Sequence, residues 1–324
     1  MSSAGNDVEK PVIRVAFVDF WRRFQPENDV LYHALAARFE VVIDTVRPDY
    51  LFFSCFGRAH IHPRYEKTVK IFFTGENLVP DFNDCDYGIG FQEITFGERY
   101  LRFSPFAAND TALVLDEPAV DPDARANREK FCNFIFSNRD ADPIRDRFFQ
   151  TLSARKPVDS LGRHLNNSSD LQDYRSPASR SQQKIEVQSR YRFSIAFENS
   201  TAPGYTTEKI ADALAAGTVP IYWGNPLIGK EFNPARIINA HDFADLDTLC
   251  DHVLEVDADR ARLRDIAAAP VFLPEQKTIQ DNRADLEQFL ADIVAQGPVD
   301  ARRLPDYGRG AILRRKKRRL FRRP

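Results

Sequence analysis

Short, nearly continuous apolar runs alternate with polar and amphipathic stretches through most of the chain. VIRVAFV (Val12–Val18) is a β-branched run, and residues 41–44, 50–56, 69–74 and 86–91 repeat the pattern, with a helix predicted over 29–38. Runs of this length suit parallel strands covered on both faces, so the first third reads as a doubly wound α/β domain. Residues 109–130 carry Asp, Pro and Ala with little periodicity and read as an interdomain linker. A second α/β series follows, with a strand over 131–138, a helix over about 143–152 and a polar loop over 163–181. The clearest unit is 192–222, where RFSIAFEN reads as a strand, NSTAPGY as a loop, TTEKIADALAAG as a helix and TVPIYW as a strand. Ile210, Ala213 and Leu214 share one helix face, and Gly217 supplies the stop. Such a strand–helix–strand unit is a right-handed crossover in nearly every case, and tandem domains of this kind bind ligand at strand carboxyl ends.

The 324 residues, 43% hydrophobic and 28% charged, can build two cores, which argues against disorder. Cys55, Cys85, Cys132 and Cys250 form no CxxC pair, so reduced thiols in a cytoplasmic compartment are expected rather than a disulfide framework or a zinc site. MSSAGNDVEKP lacks the cationic flank and apolar stretch of a secretory signal, and no run of about 18 apolar residues is present to span a bilayer. The net charge of -2 hides an asymmetry: residues 301–324 hold eleven Arg and Lys against one acid, Asp306, so the rest of the chain is strongly acidic. A tail of that kind implies its own anionic partner.

The chemistry concentrates where the loop after the FSIAF run enters a helix. A helix N-terminus offers N–H groups and a positive dipole end to phosphate. Lys209 adds a full charge, Glu208 an acceptor for a ribose diol, and Tyr205 a ring for a nucleoside. From these residues alone, a Glu208 that merely complements the dipole and a Lys209 on a solvated face fit equally well.

FSIAFENSTAPGYTTEKIADALAAGTVPIYWGNP resembles the signature of glycosyltransferase family 10, the α-1,3-fucosyltransferases, with FEN at 197–199, YTTEK at 205–209 and PIYWG at 220–224. FFTGEN (72–77), DYGIGF (86–91), ERYLR (98–102), DPIRDRFF (142–149) and FNPARIINAHDF (232–243) are similar to the family's bacterial members in the same order, so the likeness covers roughly residues 10–250. The resemblance implies a GT-B fold: two Rossmann-like domains, here 1–125 on the acceptor side and 126–300 binding GDP-fucose, facing a central cleft, with a basic tail at 301–324. It implies donor-binding roles for Arg145, Asn199, Tyr205, Glu208 and Lys209, with Arg145 on the diphosphate, where a planar guanidinium can grip two oxygens. It further implies an inverting reaction that moves L-fucose to the GlcNAc O3 of an N-acetyllactosamine-like glycan in lipopolysaccharide. Glu93 matches the family's carboxylate base, and Glu76 is the rival. A 1,4 linkage, another sugar nucleotide, or a non-catalytic glycan-binding protein are the alternatives.

His60 and His62 lie two apart with no evident third ligand and read as loop or acceptor-side residues. Asp-x-Asp triplets at 84–86, 121–123, 140–142 and 257–259 all fall outside 193–224, so no metal or other cofactor is expected, basic side chains standing in for one. Trp223 and Tyr222 read as packing residues, as does Trp21, which could alternatively stack on a sugar. The tail segment AILRRKKRRLFRRP admits a solvated tail, a nucleic-acid arm or a membrane-surface anchor. The acidic body disfavours nucleic acid, and the resemblance favours peripheral attachment to an anionic inner membrane through residues 314–323. No heptad stalk precedes the tail, so dimerisation through one is not implied.

Overall fold

The computed structural model of the chain describes residues 9–117, 121–168 and 177–304. The basic tail at 314–323 and the first eight residues lie outside them. The described chain packs as two units. One comprises 9–90, 94–103 and 283–304, and the other comprises 91–93 and 104–282.

The first unit is built on β1 (Val12–Val18), β2 (Glu40–Ile43), β3 (Tyr50–Phe53), β4 (Val69–Phe73), β5 (Tyr87–Gly90) and β6 (Tyr100–Arg102). All pair in parallel, in the order β2-β1-β3-β4-β5-β6. The first five coincide with the apolar runs; β6, inside ERYLR, is too short for its pattern to show. β3, β4 and β5 are buried throughout, as strands covered on both faces must be. Helix α1 (Val30–Ala36) starts where Asp29 accepts the Leu31 N–H at 2.9 Å, and burial raises that carboxyl to about 6. Residues 283–304 return to this unit. Phe289 meets Tyr87 edge-on at 6.1 Å, Glu287 pairs with Arg38 at 2.6 Å, and buried Asp86 accepts the N–H groups of Lys70, Arg303 and Leu304.

The second unit carries β7 (Lys130–Phe134), β8 (Asp159–Ser160), β9 (Tyr191–Phe197), β10 (Val219–Trp223) and β11 (Ile238–Asn239), all parallel, in the order β11-β10-β9-β7-β8. Its helices are α2 (Pro122–Ala126), α3 (Ile144–Arg155), α4 (Pro177–Gln188), α5 (Glu208–Ala215), α6 (Leu246–Ala258) and α7 (Arg260–Ala268). Phenylalanine dominates the core: Phe131, Phe134, Phe148, Phe149, Phe193 and Phe197 are all buried, and Phe148 stacks on Phe197 at 4.9 Å. No described helix is long and apolar enough to cross a membrane.

Two expectations need correction. The stretch 109–130 is not a linker: it forms a 3₁₀ segment (Asp110–Asp116) and α2, and it buries Ala112, Leu115 and Ala126. With the return of 283–304, this places the division at 103/104 rather than at 125/126 and removes the C-terminal segment from the second unit. Irregular turns bury single apolar residues without a period, so the pattern does not reveal them. The polar stretch at 163–181 also ends early, since α4 begins at Pro177.

Candidate active site

β9 runs as seven buried residues and ends directly on a charge, Glu198, whose side chain is 0% exposed. A carboxylate here must be paired. Its Oε1 accepts the Thr207 N–H at 2.7 Å; its Oε2 accepts the Thr207 hydroxyl at 2.7 Å and the Lys209 ammonium at 3.0 Å. Lys209 also donates to Thr207 Oγ1 at 2.8 Å and lies 3.5 Å from Glu208 Oε1. Every group on the Glu198 oxygens is a donor, as an ionised carboxylate requires. Burial raises the Glu198 carboxyl against the pull of Lys209. Burial also opposes the charge on Lys209, but Glu198 and Glu208 outweigh it and hold the amine protonated. Burial opposes ionisation of Glu208 as well; Lys209 and Lys184 prevail and bring it down to about 2. Lys184, on α4, is itself anchored by Asp212 at 2.9 Å.

The entry to α5 therefore differs from an open helix N-terminus: Glu198 has already taken the Thr207 N–H. Space for that side chain comes from Gly224, at φ 155, where a Cβ would lie 2.4 Å from Glu198 Cγ. The loop before α5 is tied to the loop after β10 by a buried polar network. Asn225 Oδ1 accepts the Gly204 N–H at 2.8 Å and its amide donates to Thr206 Oγ1 at 3.0 Å, while Glu231 takes the hydroxyls of Ser104 and Thr206.

Arg145, on the first turn of α3, is 1% exposed, and its guanidinium stacks on Phe136 at 4.7 Å. It donates to the Asn138 carbonyl at 2.8 Å and reaches Asn199 Oδ1 at 3.5 Å, and Asp146 lies 3.3 Å from its Nε. Asp146 in turn meets His164 Nε2 at 2.7 Å, and the Asp142 N–H donates to the Asn199 carbonyl at 2.8 Å. The loops after β7, β8 and β9 are thus fastened together by side chains converging on Arg145.

Tyr205 is 3% exposed, its ring 5.1 Å from that of Phe91, and its carbonyl accepts from Tyr222 Oη at 3.4 Å. Phe91 leads to Glu93, which is 40% exposed and pairs with Lys230 at 3.5 Å within the second unit. Glu76 lies in the first unit on the exposed turn after β4, where its N–H donates to Thr74 Oγ1 at 3.2 Å. The structure thus gathers Glu208 with Lys209, and Arg145 with Asn199, places Glu93 two residues from the ring that packs on Tyr205, and keeps Glu76 in the other unit.

In the first unit the matching position, just past β1, is held by Asp19 at φ 62. Its carboxylate accepts the N–H groups of Ala59 and His60 at 2.7 and 2.9 Å and meets His60 Nδ1 at 2.6 Å. Burial raises this carboxyl, but the bonds from His60 and Ala59 overcome it and leave it lowered. His60 stacks on Phe53 at 4.2 Å and lines a 340 Å³ cavity with Cys55, Arg58, Leu78 and Val79. His62 instead accepts the Arg64 N–H at 3.2 Å, so the two histidines, on separate 3₁₀ turns, do not act as a pair. Trp21 remains half exposed at the edge of a ring cluster with Phe17, Phe20 and Phe24.

Sequence reading singled out neither Glu198 nor Asp19, although both carry a readable signal: an acid immediately after a buried apolar run, at a strand's carboxyl end. Lys184 had none, because α4 lies in a stretch whose polarity resembles that of a loop.

Comparison with known proteins agrees with this geometry. Residues 15–108 match the family model of the α-(1,3)-fucosyltransferase FucT N-terminal domain, and residues 125–266 match that of glycosyltransferase family 10 (fucosyltransferase), C-terminal part. The α-(1,3)-fucosyltransferase FucT of Helicobacter pylori is 31% identical over 290 residues, covering 75% of this chain and 57% of that protein. The chain therefore spans little more than half the length of that relative. A crystal structure of an α1,3-fucosyltransferase superposes with a TM-score of 0.74 at 27% identity, covering 94% of this chain and 95% of the other. A structure of an α1,3-fucosyltransferase with GDP-fucose gives 0.70 at 26%, covering 90% and 93%. With two parallel-sheet α/β units of the GT-B class and both family models matched in order, the chain belongs to glycosyltransferase family 10, the fucosyltransferases.

Proposed function

We propose that the chain transfers L-fucose from GDP-fucose to the GlcNAc O3 of an N-acetyllactosamine-like glycan of the lipopolysaccharide O-antigen type, with inversion at the fucose anomeric carbon. The observation that carries this reading is the cluster of buried Glu198, largely buried Lys209 and part-exposed Glu208 at the start of α5, formed by the FEN and YTTEK residues of a family 10 chain. Lys209 is held protonated and in place by Glu198 and Glu208, so it is suited to neutralise charge as GDP departs. Glu208, kept ionised, is suited to accept from a ribose diol. Arg145 holds Asn199 and the neighbouring loops in position, and with Asn199 and Tyr205 completes the donor side. In the transfer step the acceptor oxygen bonds to the anomeric carbon, the bond from that carbon to the diphosphate oxygen breaks, and Glu93 takes the hydroxyl proton. Its position next to the segment that packs on Tyr205 supports Glu93 over Glu76. The His60 cavity suits the acceptor, offering a ring nitrogen and apolar walls to a sugar. Basic side chains would stand in for a metal, and the tail at 314–323 would hold the enzyme to an anionic membrane surface at the cytoplasmic face.

The test is a transfer assay with GDP-fucose and N-acetyllactosamine in EDTA, with product linkage read by NMR. An α-1,3-fucosylated product is expected. A 1,4 product would change the linkage assignment; neither product nor GDP-fucose binding would overturn the reading. Removal of residues 314–324 is expected to release the protein from anionic vesicles, and equal binding without them would defeat the anchor.

A further inference from the structure

The second sheet has another charged cluster at its opposite edge, where the strands begin. Arg236 precedes β11 and is 0% exposed, yet among the described residues none of its three guanidinium nitrogens has a hydrogen-bond partner. Buried polar groups are almost always paired, and a buried unpaired charge is the costliest exception. Burial pushes its guanidinium well down, and the charged groups facing it, Arg125 and Arg128, push the same way. Arg128 spends donors on the carbonyls of Tyr191 and Ala216 at 2.9 and 2.8 Å, and Arg125 spends one on the Ala267 carbonyl at 3.3 Å. Both also press on Gly217, where a Cβ would lie 2.6 Å from Arg125 Nε and 3.1 Å from Arg128 Nη2. Unlike Arg236, these two are partly exposed.

We propose that Arg236, Arg125 and Arg128 form a binding site for a small inorganic oxyanion of the phosphate or sulfate class. One tetrahedral anion supplies acceptors for the orphaned N–H groups and the missing negative charge, and the planar guanidinium fork matches two of its oxygens. The site lies beyond the C-terminal end of α5, whereas Glu208 and Lys209 stand at its start, so it is separate from the donor position and does not depend on the proposed activity.

The full chain is titrated with sulfate in a phosphate-free buffer while its melting temperature is followed. A saturable rise of about 5–10 °C is expected at roughly one hundred times the Kd. R236M is expected to lose the response and, without anion, to melt at or above the wild-type temperature, because the unpaired charge is gone. K209M should keep the response, which separates this site from sulfate bound near the donor residues. Should R236M fail to fold, R125M at the part-exposed edge is expected to weaken sulfate about tenfold. Crystals soaked in selenate should show an anomalous peak touching Arg236. A wild-type chain indifferent to sulfate, an equal response in the Arg236 or Arg125 variant, or selenate peaks only elsewhere would overturn the site.

Discussion

The two units solve one structural problem twice, with different partners. Asp19 follows β1 and Glu198 follows β9, each at the carboxyl end of an interior parallel strand. Each carboxylate binds the backbone N–H of a later loop and one basic side chain. Each also needs a glycine on the neighbouring strand's loop: a Cβ on Gly57 would lie 2.4 Å from Asp19 Oδ1, as one on Gly224 would from Glu198 Cγ. The difference is in the base. Glu198 holds a lysine, a permanent charge fitted to an anionic diphosphate. Asp19 holds a histidine, whose other ring nitrogen can exchange hydrogen bonds with a neutral sugar hydroxyl. The comparison teaches that a strand-end acid orients a basic side chain in each unit; under the proposed function the lysine would serve the anionic donor and the histidine the neutral acceptor.

The largest effect should come from neither acid but from the group proposed to do the chemistry. Glu93→Gln is expected to cut transfer by about 10²–10⁴-fold with GDP-fucose affinity nearly intact. Full activity in Glu93→Gln with loss in Glu76→Gln would move the base into the first unit. Lys209→Met comes next, with kcat/KM down about 10²–10³-fold, in the range seen when a group that stabilises developing charge is removed. GDP affinity should fall with it; calorimetry showing unchanged GDP binding would remove the donor role. Glu198→Gln should cost less, about tenfold, because Lys209 stays present but loses its anchor. In the first unit His60→Ala should raise the acceptor KM about tenfold and leave GDP affinity alone. A GDP defect there, or an acceptor defect in Lys209→Met with normal GDP binding, would dissolve the division of labour.

The same comparison marks how far sequence reaches. β1 to β5, β7, β9 and β10 were legible as apolar runs and α5 because its face repeats at 3.6 residues, whereas β6, β8 and β11, two or three residues each, were too short to leave a pattern. Glu208 and Lys209 were legible as a pair beside a helix start, and the family resemblance supplied Arg145 and Asn199. Hidden were contacts between residues far apart in sequence: Asp19 with His60, Arg145 with Asn199, and Lys184 beside Glu208. A pattern records which face a residue takes, and says nothing of which distant loop returns to it. The segments 104–125 and 283–300 were assigned to the other unit for the same reason, since each is placed by what it packs against.

The smallest expected effect separates Asp19 from Glu208 by exposure. Asp19 has a lowered carboxyl, so its contribution to stability is present above the ordinary value of 3.8 and is lost as pH falls through the folded value. Glu208 is lowered from 4.5 to about 2, so its window runs between those values. Asp19 is almost fully enclosed, and Asp19→Asn should cost about 1–3 kcal/mol at pH 7, the range for a buried donor left without its acceptor. That difference should shrink as pH falls through the lowered folded value, where the wild-type carboxyl becomes protonated too. Glu208 is 41% exposed, and solvent screens its attraction to Lys209 and Lys184. Glu208→Gln should therefore barely change acid unfolding while still weakening GDP-fucose, since its proposed partner is the ligand rather than the fold. Acid-unfolding curves of the two variants, read beside their GDP-fucose affinities, check both halves. A large stability loss in Glu208→Gln with normal donor binding would make Glu208 a structural acid, and the contrast between the two strand ends would then rest on Lys209 alone.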